Sequence, residues 1–340
     1  MSANLPPVNN RPPTLDEVAQ RAGVSTGTVS RVINNAQHVS EKARRAVQRA
    51  VDELGYVPNV AARSLASQRR GAVVLAISSD DPALFANLFF AEVITGVNAV
   101  IEETDLELLL VLAASERGRS RLSRILQSRG ADGIMLLALR ENDPLSKVAE
   151  EGGVPVVHGG RPLDWTPQWY VDADNRGGAR QAVEYLISLG RQRIATITGA
   201  LDMHVGVSRY LGFREAVALA GFSDKRVVHG DFGEASGVAG MTRLLDEHPD
   251  LDAVFVASDA MAAGALKVLR DRGVAVPEEI AVVGFNDIVT AQHTQPALTT
   301  VRQPIEALGR EMTRMLVRLI NNEQPTSLIL PTELVVRDSA

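Results

Sequence analysis

The densest run of chemically useful residues lies between Leu15 and Asn34: Leu-Asp-Glu-Val-Ala-Gln-Arg-Ala-Gly-Val-Ser-Thr-Gly-Thr-Val-Ser-Arg-Val-Ile-Asn. Val29 and Val32 stand three apart, so a helix over them turns both inward and leaves Thr26, Gly27, Thr28, Ser30 and Arg31 outside. Hydroxyls and a guanidinium on one exposed face suit phosphate oxygens and base edges in a DNA major groove. Ala19 is small where two helices must cross, and Gly23 tolerates a turn with positive φ. Val18 and Val24 complete a miniature core. The pattern predicts a helix-turn-helix; a plain three-helix bundle with polar outer faces shares some of it. Two more segments carry candidate chemistry. In Arg209-Tyr-Leu-Gly-Phe213 the guanidinium can fork to vicinal hydroxyls, a carboxylate or a purine edge. Gly160-Arg161-Pro162 follows a strand ending near His158, and a side chain at a strand's carboxyl end points into a cleft. Trp165 and Trp169 follow closely. Aromatic faces stack on sugars, hinting at a saccharide, and the same residues can equally cover a loop.

Other chemistries have no support. The six histidines are scattered without ligand spacing, there is no cysteine, and no Gly-x-Gly-x-x-Gly, Walker A, Gly-x-Ser-x-Gly or His-Glu-x-x-His pattern occurs. The reading is therefore of a protein that is not an enzyme and takes no metal and no cofactor. Lack of cysteine also fits a reducing compartment. No apolar run approaches the ~18 residues of a membrane span, and the polar start does not resemble a signal peptide. Both point to the cytoplasm.

The 340 residues carry a formal net charge of −6. Residues 1–70 hold ten Lys and Arg against five Asp and Glu, and the remainder holds 25 against 36. A basic module thus precedes an acidic body.

These segments need elements to position them. Residues 1–13, rich in Pro and Asn, read as a disordered tail. Residues 14–57 read as an all-α helix-turn-helix domain. Thr14 caps a first helix to Ala22, Ser25 a second to about Asn34, and Ser40 a third. On the third helix Ala43, Val47, Ala50, Val51 and Leu54 share a face, and Gly55 stops it. Residues 58–70 read as a linker, too short for a helix stable alone in water. From 71 to 340 short apolar runs (Val73–Ile77, Leu108–Leu112, Ile134–Leu137, Val154–Val157, Ile194–Ile197, Val254–Ala257, Ile280–Gly284 and Leu328–Val336) alternate with helical stretches. Such alternation predicts an α/β body of parallel sheets, and its length favours two doubly wound lobes.

From Thr14 to Leu65 the chain resembles the DNA-binding headpiece of the lactose repressor/galactose repressor (LacI/GalR) family. Residues 24–34 match the family's recognition helix. Glu53-Leu-Gly-Tyr-Val-Pro-Asn-Val-Ala-Ala-Arg-Ser-Leu65 matches the end of its third helix and its hinge helix. The resemblance covers nearly everything beyond residue 13. It implies that Thr26 and Gly27 occupy the two operator-discriminating places. Gly27 has no side chain, so reading falls on Thr26, on Arg31 paired with a guanine, or on DNA shape. Ser25, Thr28, Ser30, Asn34 and His38 would hold phosphates or set the docking angle. Leu65 would wedge into the minor groove, with Asn59 and Ala62 near its floor. On composition alone 58–70 is a plain linker; the resemblance makes it a hinge helix.

For the body, the resemblance implies a type I periplasmic-binding-protein-like fold with an effector between its lobes. The first lobe is expected over about 71–159 and 290–321, the second over about 160–288 and 322–340. Arg209 matches the family's ligand-contacting arginine. Asn286 and Asp287 match a segment usually reading Asp-Asp, Asn286 keeping an acceptor but losing charge. Ser258 and Asp259 match a segment often reading Asn-Asp. Phe89, Phe90 and Phe232 fall at aromatic walls. Plainer roles stand beside these: the phenylalanines as core, and Asp259 or Asp287 as helix caps. Arg161 joins the set of effector-site residues. The implied protein is a homodimeric repressor on a pseudo-palindromic operator, controlled by a small molecule, most readily a sugar or oligosaccharide. No leucine-heptad tail follows the last strand, so a dimer is expected rather than a tetramer. The rival reading is a stand-alone sugar-binding protein built on the same body.

Overall fold

The computed structural model describes residues 11, 13–33, 39–56, 70–79 and 88–340. The chain divides into two compact units between Arg70 and Gly71. The first holds three helices, α1 (Leu15–Ala22), α2 (Thr26–Ile33) and α3 (Glu41–Leu54). Thr14 and Glu17 form a reciprocal capping box at the start of α1, and Gly23 ends it at φ +67°. Ser40 caps α3 by accepting from the Ala43 amide. Val18, Ala19, Val29, Val32, Val47, Ala50 and Tyr56 are buried together as one core.

The second unit contains two six-stranded sheets. The first has the order β11-β5-β4-β3-β1-β2, from β1 (Ala72–Ile77), β2 (Glu107–Leu112), β3 (Gly133–Leu137), β4 (Val156–Gly159), β5 (Tyr170–Ala173) and β11 (Leu328–Leu330), all parallel. The second has the order β12-β10-β9-β8-β6-β7, from β6 (Ile194–Thr198), β7 (Val227–His229), β8 (Ala253–Val256), β9 (Ala281–Asn286), β10 (Thr299–Arg302) and the antiparallel edge strand β12 (Glu333–Val335). In β1, β3, β6 and β8, apolar runs without alternation are explained by burial on both faces. In β1, Val73, Leu75 and Ile77 enter one core while Val74 and Ala76 enter the opposite one. In β8, Val254 and Val256 face one core, Ala253 and Phe255 the other.

Helices cover both faces of both sheets. In the first lobe α4 (Leu88–Ile101) and α12 (Ile305–Ile320) lie on one face, α5 (Glu116–Gln127) and α6 (Pro144–Glu151) on the other. The second lobe has α7 (Asn175–Ser188) and α8 (His204–Leu219) on one face, with α9 (Glu234–Glu247) and α10 (Asp259–Asp271) opposite; α11 (Thr290–His293) packs beside α10. Helices α4 and α12 approach until their backbones touch. A Cβ at Gly96 would lie 1.9 Å from the Glu306 carbonyl, and one at Gly309 2.1 Å from that of Val93.

Strand pairing corrects the expected lobe boundaries. β5 pairs with β4, which places Tyr170–Ala173 in the first lobe. β10 pairs with β9, which places Thr299–Arg302 in the second. The final apolar stretch is two strands, β11 joining the first sheet and β12 the second. The chain therefore crosses between lobes at Asp174, at Gln303–Pro304 and at Pro331–Thr332. The boundaries were misplaced because a crossing is a residue or two of extended chain, with no glycine or proline cluster to mark it. The crossings are tied together: the Asp174 amide donates to the Leu330 carbonyl at 2.9 Å, and Thr332 Oγ1 donates to the Asp174 carbonyl at 3.3 Å.

Candidate DNA-reading face and ligand cleft

Helix α2 buries Val29 and Val32 and leaves Gly27 and Arg31 exposed, with Thr26, Thr28 and Ser30 half-buried. Exposed Ser25 starts it: its Oγ accepts from the Thr28 amide at 3.2 Å and lies 2.9 Å from Thr28 Oγ1. Thr26 Oγ1 donates to Asp16 Oδ1 at 3.3 Å, bracing α2 against α1. Arg31 Nε donates to the Gly27 carbonyl one turn back at 3.2 Å, leaving its two terminal nitrogens for an acceptor outside the helix. Ser25, Thr26, Gly27, Thr28, Ser30 and Arg31 thus share one short helix and its start. Asn34, His38, Asn59, Ala62 and Leu65 lie outside the described residues.

In the second unit a cleft opens at the carboxyl ends of strands from both sheets, where open α/β sheets bind ligands. Its lining draws Ser78, Leu137, Gly160 and Asp172 from the first lobe and Arg209, Asp231, Ser258 and Gln303 from the second and its crossings. Phe89, Phe90, Arg161, Phe232 and Asn286 also line it.

Arg209 is held there by three hydrogen bonds and an aromatic ring. It sits on α8, 3 % exposed, with its guanidinium 3.7 Å from the centroid of the Phe285 ring. Nε donates to Asn175 Oδ1 at 2.9 Å, Nη1 to the Ala257 carbonyl at 2.6 Å and Nη2 to Gln303 Oε1 at 2.8 Å. A guanidinium has five N–H groups, so one remains on each Nη for the cleft. Burial pulls the pKa of Arg209 down to about 9, Asp259 and Asp172 opposing the fall, so it is a cation at neutral pH. Asn175 and Gln303 each adjoin a lobe crossing.

Asp172, at the end of β5, is buried. It accepts from Arg161 Nε at 2.9 Å, from the Ala173 amide at 2.8 Å and from Asn175 Nδ2 at 3.1 Å. His204 Nδ1 lies 3.9 Å from the same carboxylate, and burial and Arg161 lower the pKa of His204. Phe232 holds φ +75°, a strained value for a bulky residue. Ser258 Oγ donates to its carbonyl at 3.2 Å. Its ring lies on Gly199, where a Cβ would be 2.1 Å from the ring, which accounts for glycine there. Asn286 has φ +119° and a buried Oδ1 that accepts no hydrogen bond among the described residues. Phe89 and Phe90 meet edge to face, centroids 5.3 Å apart, and Phe90 also joins the core beneath.

Two expected cleft residues are turned elsewhere. Asp259 is fully buried and outside the lining; it accepts from the Ile288 amide at 2.9 Å and Thr300 Oγ1 at 2.5 Å, tying three segments beneath the cleft. Burial raises its pKa to about 7. The cap of α10 is Ser258, not Asp259. Asp287 is also outside the lining, clamped between Arg302 Nε at 2.8 Å and Arg337 Nη2 at 2.6 Å. Trp165 is 40 % exposed and meets His158 edge-on at 5.3 Å, while Trp169 packs against the first-lobe core. Neither lines the cleft.

Asp172, Asn175, His204 and Gln303 were missed by sequence reasoning. Asp172 carried a usable signal, a carboxylate closing a strand as Arg161 does nearby. Gln303 had none until the crossing was located.

The model described as bacterial regulatory proteins, lacI family, matches residues 14–59, and that of a periplasmic binding protein-like domain matches residues 183–340. The chain is 48 % identical to the HTH-type transcriptional regulator CelR of Thermobifida fusca over 335 residues, 97 % of this chain and 98 % of that protein. It is 35 % identical to the HTH-type transcriptional repressor PurR of Escherichia coli O139:H28 (strain E24377A / ETEC) over 338 residues, 96 % of each chain. Among solved structures, a CelR–cellobiose complex has a TM-score of 0.77 at 46 % identity, covering 96 % of this chain and 100 % of that one. The lac repressor dimer bound to operator and the anti-inducer ONPF has a TM-score of 0.84 at 28 % identity, covering 97 % and 99 %.

Proposed function

The chain belongs to the LacI family of bacterial regulatory proteins, and from that premise we propose that it is a homodimeric repressor of transcription whose operator binding is set by an uncharged disaccharide of the cellobiose type. The arrangement around Arg209 carries this reading. Arg209, Asn286, Asp172 and Asp231 line a cleft that also presents Phe89 and Phe232; Arg209 keeps two N–H groups beyond its three protein acceptors, and Asn286 Oδ1 has no partner among the described residues. Donors and acceptors with aromatic walls suit vicinal hydroxyls and the apolar faces of sugar rings. The cleft cations have acidic counterparts: Arg161 is paired with Asp172, Arg140 with Asp202, and Arg209 feels the charges of Asp259 and Asp172. A ligand with net charge would upset that matching. The CelR relative, bound to cellobiose, supports the choice of sugar.

On the DNA side, two copies of α2 related by a two-fold axis would read the halves of a pseudo-palindrome. Ligand in the cleft would bias the lobes, and the lobes the affinity for DNA. The headpiece favours this reading over a stand-alone sugar-binding protein, and relatives that are transcriptional regulators favour it over an enzyme. We place the protein in the cytoplasm, where its operator would be.

The test is a gel shift on the DNA upstream of the chain's own coding sequence, with cellobiose, a monosaccharide and a purine base as arms. Cellobiose is expected to change operator affinity at least tenfold and the purine not at all. A specific shift unaffected by any sugar would overturn the ligand assignment; absence of any specific shift would overturn the repressor.

A further inference from the structure

Besides the three crossings and the cleft floor, the lobes meet at the cleft rim. The loop after β3, residues 138–143, turns through positive φ at Ala138 (+61°) and Asn142 (+54°). Asp143 braces it, accepting from Ser78 Oγ, from the Arg140 amide at 3.4 Å and from the Leu145 amide at 2.9 Å. Asp164 accepts from the Asn142 amide at 2.8 Å. So held, the loop sends Arg140 across to the second lobe. Arg140 Nη1 lies 2.6 and 2.9 Å from the two carboxylate oxygens of Asp202, and the Glu141 amide donates to the Asp202 carbonyl at 2.6 Å. Asp202 sits in the turn before α8, next to Met203 and His204 of the cleft lining, and Arg140 belongs to that lining. Both side chains are about half exposed, 52 % and 44 %, so the pair stands where the cleft meets solvent.

We propose that Arg140 and Asp202 form a rim latch, which holds the lobes together across the cleft and must part before a ligand enters or leaves. Three observations converge on it. The first-lobe partner is on a strained loop pinned at four points, so closing costs it little conformational freedom. The contact doubles side chain with backbone. The same turn carries His204, facing first-lobe Asp172 deeper in the cleft, so one short segment of the second lobe makes both polar contacts. The holding of the lobes stands whatever the ligand; the gating rests on the cleft being the ligand site, as proposed above.

The chain has no cysteine, so cysteines at exposed Gln127 on α5 and Leu219 at the end of α8 would carry one spin label on each lobe. Labelled chains diluted with unlabelled ones would leave one pair per dimer. Pulsed dipolar spectroscopy then reads the closed-to-open ratio. Arg140→Gln and Asp202→Asn are each expected to lower the ratio about two- to five-fold, the worth of an exposed ion pair. The reversed pair Arg140→Asp/Asp202→Arg should recover it, and 1 M salt should erase the differences. Identical distance distributions in all four proteins, or a reversed pair no better than the single variants, overturns the latch. In a second arm, stopped-flow displacement of cellobiose should be faster by a similar factor in the single variants. A changed lobe ratio with an unchanged release rate overturns the gate. A changed ratio with no cellobiose binding in any protein leaves the latch standing and removes the sugar.

Discussion

Replacing Arg209 by lysine keeps a positive charge at the floor of the cleft and removes the fork. The guanidinium fills three protein acceptors, Asn175 Oδ1, the Ala257 carbonyl and Gln303 Oε1, and retains one N–H on each terminal nitrogen. A lysine ammonium is a single point with three donors and cannot span acceptors on α7, after β8 and beyond β10 together. Two ligand hydrogen bonds to a charged donor are lost, each worth about 1.5–3 kcal/mol. The total of about 3–6 kcal/mol corresponds to a Kd roughly a hundredfold to ten-thousandfold weaker. At least two protein acceptors are left unfilled, which costs about 2–6 kcal/mol of fold stability at about 1–3 kcal/mol each. Isothermal titration of Arg209→Lys with cellobiose measures the first loss and scanning calorimetry the second. The headpiece is untouched, so ligand-free operator binding should stay within a few-fold of the parent. A variant that binds cellobiose within threefold of the parent, with a normal melting temperature, would refute the assignment of Arg209.

Arg31→Ala should weaken operator binding by about 1–3 kcal/mol and relax preference at one position of each half-site, if Arg31 forks to a base; equal weakening on every sequence in a binding-selection assay would demote it to a phosphate contact. Gly309→Ala should lower the melting temperature of the body by several degrees, because the new methyl meets the Val93 carbonyl at 2.1 Å and forces α12 off α4; overpacking of this kind costs about 1–3 kcal/mol, and an unchanged melting temperature contradicts the close approach. Asp259 gives a pH test. Its folded pKa is raised by burial to about 7 from 3.8, so the folded state holds a proton that the unfolded state has lost. Its contribution is fully present below the unfolded value and is lost as pH rises through about 7. Urea unfolding of Asp259→Asn should therefore gain on the parent between pH 4 and pH 8; a difference constant across that range would show that Asp259 does not titrate so.

Much of this was legible before any coordinates. Local rules placed the headpiece, because caps and glycine stops at Thr14, Gly23, Ser40 and Gly55 act within a few residues of themselves. Fully buried strands announced themselves as unbroken apolar runs. Arg209, Phe232, Ser258 and Asn286, read through the resemblance, and Arg161, read from its place after a strand, converge in the cleft lining. What failed was non-local. Asp259 and Asp287 look identical in sequence to ligand carboxylates, and only the positions of Thr300, Arg302 and Arg337 reveal that their oxygens are already taken. The lobe boundaries failed similarly, since which sheet a strand joins is set by its pairing, β5 with β4 and β10 with β9, and an apolar run does not name its partner. Trp165 and Trp169 have the right chemistry for a sugar in the wrong place.

The paired strands near the carboxyl end have a consequence for how the protein is made. β11 and β12 are separated by two residues, yet each closes the edge of a different sheet. Ser339, fully buried, then stitches β9 to the start of β10, its Oγ donating to the Val282 carbonyl and accepting from the Thr299 amide. Neither lobe can therefore complete its sheet until residues 328–335 have left the ribosome, whereas the headpiece core, among the described residues, is assembled by Tyr56. During synthesis a folded DNA-reading head is drawn ahead of a body with two open β-edges, which is the state most exposed to misassembly. A chain that stopped before Leu328 would keep its reader and lose a strand from both lobes at once. Such a fragment could still occupy an operator while answering to no ligand.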